Sequence, residues 1–225
     1  MNAASCKLHW PDFTIARLVG EGLGHARDQG PRGTCLAFAT SGAHGVARSI
    51  ADSLSVEWLF WGAKQRDGSP LDGTTTEAVR EALRVEGQPE ELVWPYDPGR
   101  SLAGPAYRPP PLNGYPRFTR TSMLESRPLA GVIKALDANA PVVLVISLTS
   151  GFIQATNRRV SSTDAGGRAL GLHGVLAVGH GTDESDGSSH VIVRNSWGVD
   201  WAAAGYCLVA LPYLELRLLE AFLLN

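Results

Sequence analysis

Cysteine is scarce in this chain: Cys6, Cys35 and Cys207 are the only three among 225 residues. So small and odd a count excludes a framework in which every thiol is paired, and it points to a reducing, cytoplasmic setting. Charge of one sign is lacking too. Twenty Lys and Arg against 22 Asp and Glu leave a formal net charge of −2, which gives no electrostatic reason to expect nucleic acid or an anionic membrane as partner. No run approaches the roughly 18–20 apolar residues that span a bilayer. Residues 1–10 contain no basic stretch followed by an apolar core, so a signal peptide is not expected. Neither a Cys-x-x-Cys nor a His-x-x-x-His pair is present to hold zinc, and no cofactor is expected. Internal repeats and low-complexity tracts are absent as well. The remainder is ordinary globular composition, 44% hydrophobic and 19% charged, enough for one large domain or two compact lobes sharing an interface.

What is present is most concentrated at residues 28–39, Asp-Gln-Gly-Pro-Arg-Gly-Thr-Cys-Leu-Ala-Phe-Ala. This places Cys35 at the expected first turn of a helix, six residues after Gln29. A helix N-terminus carries partial positive charge and unpaired N–H groups, which favour a thiolate and lower the thiol pKa. The same N–H groups, with the Gln29 amide, can hold the oxyanion formed when a thiolate attacks a carbonyl. A lone cysteine usually behaves as a small hydrophobe, and Cys207, alternating with Tyr206 and Leu208, reads that way. The second half of the chain separates Cys35 from that reading. Residues 171–181 read Gly-Leu-His-Gly-Val-Leu-Ala-Val-Gly-His-Gly, and 189–198 read Ser-His-Val-Ile-Val-Arg-Asn-Ser-Trp-Gly. A histidine opening one apolar strand and an asparagine closing the next supply a base and a group to orient it.

Other elements follow from periodicity. Residues 36–50 are apolar or small on nearly every face, as in a helix enclosed within a domain. Ser55 is placed to cap a second helix, in which Val56, Leu59, Phe60 and Ala63 follow i, i+3, i+4, i+7 spacing. A third is expected over 76–86, with Val79, Ala82 and Leu83 inward and Gly87 ending it. Residues 95–116 are rich in Pro and Gly and include Pro109-Pro110-Pro111, which no regular element can contain. This loop is the natural lobe boundary. Beyond it, 129–138 reads as a helix, 142–146 as a buried strand, and strands are expected near 174–179, 190–195 and 205–210. Residues 149–170 read as a long loop or hairpin.

In these motifs the chain resembles the papain-like cysteine peptidases, whose signature joins a Gln-Gly-x-x-Gly-x-Cys-x-Ala-Phe block to a later His-Ala/Gly and an Asn-Ser-Trp-Gly. His173 lies 138 residues beyond Cys35 and Asn195 lies 160 beyond it, near the roughly 130–150 of such enzymes. Residues 54–60, 72–74 and 91–96 are similar to the intervening blocks of bacterial members. The resemblance implies an α+β fold over residues 1–225, with a helical lobe at about 18–112 and an antiparallel, barrel-like β lobe from 1–17 and 113–225, the active site lying in the cleft between. It implies a cysteine endopeptidase acting on protein or peptide, with Cys35 as nucleophile, His173 as base and then acid, Asn195 orienting the imidazole, and Gln29 in the oxyanion hole. By the same resemblance Gly73 pairs with an extended substrate, Thr74, Thr75, Leu172 and Gly174 line the specificity pocket, and Trp197 and Trp201 flank the substrate, Trp197 covering the His–Asn bond. His180 is the second choice of base; His9, His25, His44 and His190 read as surface or satisfied core.

Two departures stand out: Leu36 replaces a tryptophan, and Arg32 occupies the position of a disulfide cysteine. No inhibitory prosegment is recognised either, so the chain is expected to be competent as translated, restrained by compartment, by narrow specificity or by a separate inhibitor or immunity protein. Delivery by a specialised secretion system is compatible with this. A peptide ligase or amide transferase would use the same acyl-thioester. A silent peptide-binding module would need none of Gln29, Cys35, His173 and Asn195.

Overall fold

The computed structural model describes residues 8, 10–20, 23–50, 54–101, 107–125 and 128–225; Cys6 and His9 lie outside them. In chain order the elements are β1 (Phe13–Leu18), α1 (Cys35–Ala47), α2 (Val56–Asp67), α3 (Thr76–Val85), β2 (Ser122–Leu124), α4 (Pro128–Asp137), β3 (Val142–Leu148), α5 (Ser150–Gln154), β4 (Arg159–Val160), β5 (Gly171–Asp183), β6 (Ser189–Arg194), β7 (Tyr206–Ala210), α6 (Leu211–Arg217) and β8 (Leu218–Leu224). The fold is α+β.

Local chemistry accounts for the helices of the first half. α1 is buried on every face from Leu36 to Gly45, as its composition requires. The Ser55 hydroxyl accepts the Trp58 N–H at 3.1 Å to start α2, and Gly68, at φ 61°, ends it. Thr75 caps α3 by accepting from Ala78 N–H, while Val79, Ala82 and Leu83 are wholly buried. Among the described residues of 95–116 there is no helix or strand.

Eight strands form one sheet in the order β2-β8-β3-β5-β6-β7-β4, with β1 paired to the far half of β5. Side chains alternate across it. Val143, Leu176, Val178, Ile192 and Leu208 pack with α1, α2 and α3 on one face. Val142, Leu144, Ile146, Val175, Val191 and Val193 pack with α4, α5 and α6 on the other. Burial on both faces is why these strands read as unbroken apolar runs.

The α+β class is as expected, and the barrel-like sheet is mixed and open rather than closed. Among the described residues no pairing joins the outer strands β2 and β4, so the sheet is open, and β4 pairs with β7 in parallel. Helices cover both faces of the sheet. Residues 149–170 are also more ordered than a loop. The Thr149 hydroxyl accepts the Phe152 N–H and starts α5, and the wholly buried Phe152 ties that turn to the core.

Candidate active site

Cys35 is the first residue of α1. The hydroxyl of Thr34, the residue before it, bonds Tyr96 Oη at 2.8 Å and makes no capping bond, so the first-turn N–H groups stay directed at the cleft. Across the cleft the N–H of Gly174 on β5 donates to Cys35 Sγ at 3.3 Å. Only glycine permits this approach: a Cβ on residue 174 would lie 2.8 Å from the Leu36 Cα.

The thiol's protonation differs from the sequence-based expectation. Burial pushes the Cys35 pKa up, and the Asp72 carboxylate adds to that push; the N–H groups of Gly174, Leu36 and Cys35 itself act in the opposite direction and do not overcome it. A depressed thiol pKa is therefore not what this environment provides, because desolvation outweighs the helix terminus. His173 shows the matching effect. Burial lowers its imidazole to about 4, against the raising influence of Asn195. Each shift is the cost of one charge taken singly. A proton passing from a thiol to an imidazole would create both charges together, and their attraction would act against the two desolvation costs.

His173 and Asn195 are brought together by strand register, with His173 near the start of β5 and Asn195 just beyond β6. His173 Nε2 meets Asn195 Oδ1 at 2.7 Å, and the Ser196 N–H donates to that same oxygen at 2.8 Å. The second bond fixes which end of the amide is oxygen. An oxygen only accepts, so Nε2 carries the ring hydrogen and Nδ1 remains the basic nitrogen. Trp197 lies on the imidazole, with centroids 4.5 Å apart, and Phe152 meets both rings edge-on. His180 is elsewhere, bonded to Asp137 at 2.8 Å. His44 is wholly buried in α1, its Nδ1 2.9 Å from Gln88 Oε1.

Gln29 is held at both ends of its amide. Its Nε2 donates to the Arg32 carbonyl at 2.6 Å, and its Oε1 accepts from the Ser196 hydroxyl at 2.6 Å. Ser196 thus touches both Gln29 and Asn195, a role its place in the motif could have suggested. Arg32, in the disulfide position, forms a bidentate pair with the wholly buried Glu57, both bonds 2.8 Å, and lies over the Tyr96 ring.

A cavity of about 430 Å³ opens beside Cys35 and His173. Gly73, Thr74 and Thr75 line one side, and Leu172 and Gly174 line the other. Thr75 also spends its hydroxyl on the α3 cap. Trp197 and Trp201 stand apart from this cavity: Trp201 stacks on Phe152, and its indole N–H donates to the Ile153 carbonyl.

The sequence profile described as papain family cysteine protease matches residues 11–212. The chain belongs to the papain family of cysteine proteases. Cysteine protease 1 of Oryza sativa subsp. japonica is 29% identical over 204 residues, covering 87% of this chain and 40% of that protein. Cathepsin B-like CP3 of Giardia intestinalis is 28% identical over 187 residues, covering 80% and 62%. The chain thus spans about half the length of these curated relatives. Among solved structures, xylellain, a cysteine protease from Xylella fastidiosa, superposes with a TM-score of 0.71 at 20% identity, covering 89% of this chain and 82% of that one. The bromelain protease from Ananas comosus, in complex with E64, gives 0.66 at 20% identity, covering 96% and 99%. At that identity the two structures speak for the papain-like fold. Among the described residues both cysteines, Cys35 and Cys207, are free, and no helix is long and apolar enough to cross a membrane.

Proposed function

We propose that this chain is a cysteine endopeptidase that cleaves peptide bonds with Cys35, His173, Asn195 and Gln29. The observation that carries the reading is the double anchoring of Asn195 Oδ1, by His173 and by the Ser196 N–H, which leaves His173 Nδ1 as the free basic nitrogen of a ring that lines the same cavity as Cys35. In the first step the Cys35 proton passes to Nδ1 as Sγ attacks the scissile carbonyl. The oxyanion is received by the Cys35 N–H and the Gln29 amide. His173 then returns the proton to the leaving amine, the C–N bond breaks, and an acyl-thioester remains. Water, deprotonated by the same nitrogen, attacks that thioester and releases the acid and the free thiol. Gly73 would pair with the backbone of an extended peptide, with its side chain in the cavity between Thr74 and Leu172. A reducing compartment, such as the cytoplasm, suits a chain whose reactive thiol must remain free.

Turnover of a mixed peptide library tests this. Cys35→Ala and His173→Ala should each abolish cleavage with the fold intact by circular dichroism, and Asn195→Ala should retain a small fraction, since the ring still samples the productive pose. Full activity in Cys35→Ala, or activity that depends on His180 and not on His173, overturns the assignment. Capture of the thioester by an added amine in preference to water would make the chain a transferase.

A further inference from the structure

Residues 68–74 form one wall of the cavity beside Cys35, and within the loop only short-range bonds hold them, Ser69 N–H to Asp67 Oδ1 at 3.0 Å and Leu71 N–H to Ser69 Oγ at 3.2 Å. They belong to no helix or strand, and their one large apolar side chain, Leu71, is 73% exposed. Hydrophobic burial therefore contributes little to their position. What they have instead is Lys64, from the last turn of α2. Its ammonium faces both oxygens of Asp67 at 3.0 Å and the carbonyls of Ser69 at 2.8 Å, Leu71 at 3.0 Å and Gly73 at 3.1 Å. Three N–H groups thus serve five oxygens converging on one point, the arrangement usual around a small cation. The Lys64 and Asp67 side chains are only 11% and 1% exposed, so water competes weakly for these bonds.

The far side of the loop is pressed against the segment that leads to Cys35. Asp72 Oδ2 accepts the Gly33 N–H at 2.7 Å, and a Cβ on Gly33 would lie 2.6 Å from the Gly73 nitrogen. The loop is therefore wedged between Lys64 and the approach to the nucleophile. Gly73, at φ 118°, is held through its carbonyl by Lys64, which orients the peptide plane it carries.

We propose that Lys64 is a positioning residue for substrate: its ammonium gathers the carbonyls of 69, 71 and 73 and so sets the cavity wall on which a peptide docks. The inference rests on the peptidase reading for the word substrate, and on geometry alone for the tether. Lys64 touches neither Cys35 nor His173, so its removal should alter binding rather than the chemical step. A guanidinium is a planar fork that suits two parallel acceptors, not five around a point. Arginine at 64 would keep the pairing to Asp67 and lose the carbonyls.

The test uses the full chain, with Lys64→Met retaining the apolar stem and Lys64→Arg retaining the charge. In Lys64→Met, amide hydrogen exchange over 69–74 should rise about tenfold or more, KM for peptide should rise about tenfold, and kcat should stay within about twofold. Alkylation of Cys35 by iodoacetamide, which needs no docking wall and feels this loop only through the minor influence of Asp72, should change far less than KM. Lys64→Arg should keep the raised KM, whereas a purely electrostatic role would be restored by it. Unchanged exchange over 69–74 overturns the tether. Loosened exchange with unchanged KM overturns its link to substrate, and an equal loss of kcat and iodoacetamide reactivity would mean a general structural role. If the unsubstituted chain cleaves no peptide, the peptidase reading falls, and the exchange measurement still decides the tether.

Discussion

On the helical side of the cleft the residues around Cys35 are held by buried charge, while on the strand side the residues around His173 are held by rings. Arg32 donates to both oxygens of Glu57 and to the Asp97 carbonyl, and Lys64 gathers the neighbouring loop. Across the cleft Phe152 and Trp197 pack against the His173 ring, and Trp201 and Tyr213 pack behind them on Phe152. Both arrangements fix a side chain of the candidate site, but they fail differently. A buried ion pair is costly to assemble and far more costly to break on one side, because the surviving charge stays buried without its partner. A ring cluster loses contacts in proportion to what is removed.

The largest effect should therefore come from Glu57→Gln, which leaves the Arg32 guanidinium uncompensated. By urea denaturation it should destabilise the chain by roughly 3–5 kcal/mol, whereas Phe152→Leu on the opposite wall should cost about 1–2 kcal/mol. The double substitution Arg32→Met with Glu57→Leu should be much milder than Glu57→Gln alone. If Glu57→Gln costs no more than Phe152→Leu, the contrast between the two walls is wrong.

A smaller effect sharpens the comparison through pH. Burial lowers His44, on the helical side, and His173, on the strand side, each to about 4 from 6.5. Between those values the unfolded chain binds protons that the folded chain does not. The stability that neutral burial supplies is therefore complete above about pH 6.5 and is lost as pH falls towards 4, by about 2 kcal/mol per group at pH 5. Replacing His44 with Gln, which can still bond Gln88, should remove about half of this histidine-linked loss. Urea midpoints at pH 7 and pH 5 would show it; an undiminished loss in His44→Gln would mean that the acid sensitivity lies elsewhere.

These interactions also mark how far the sequence could be read. α1, α2 and α3 were legible because caps and 3.6-residue spacing are local, as at Ser55 with Trp58 or Val79 with Leu83. Cys35, Gln29, His173 and Asn195 were legible as a motif, since their types and spacing are distinctive. The open sheet was not: β8 reads Leu-Leu-Glu-Ala-Phe-Leu-Leu, which lacks clean alternation, and its place beside β3 depends on pairing between residues some 75 apart. The Arg32–Glu57 pair and the Lys64 hub were equally hidden, because nothing local announces which carboxylate or carbonyl a cation will meet. The upward shift of the Cys35 thiol reversed a sequence expectation. A helix N-terminus can be inferred from sequence, but the burial opposing it depends on tertiary packing such as the approach of Gly174 to Leu36.

The central claim is that Cys35 is activated by proton exchange with His173, although burial disfavours either charge alone. The most direct measurement is the rate of iodoacetamide alkylation against pH, with the labelled residue mapped by mass spectrometry, in the unsubstituted chain and in His173→Ala. The account predicts label at Cys35, with reaction at pH 6 at least about tenfold faster than in His173→Ala, whose thiol should ionise only above its ordinary range. Equal rates at pH 6 in the two proteins, or label on Cys207 in place of Cys35, would contradict it.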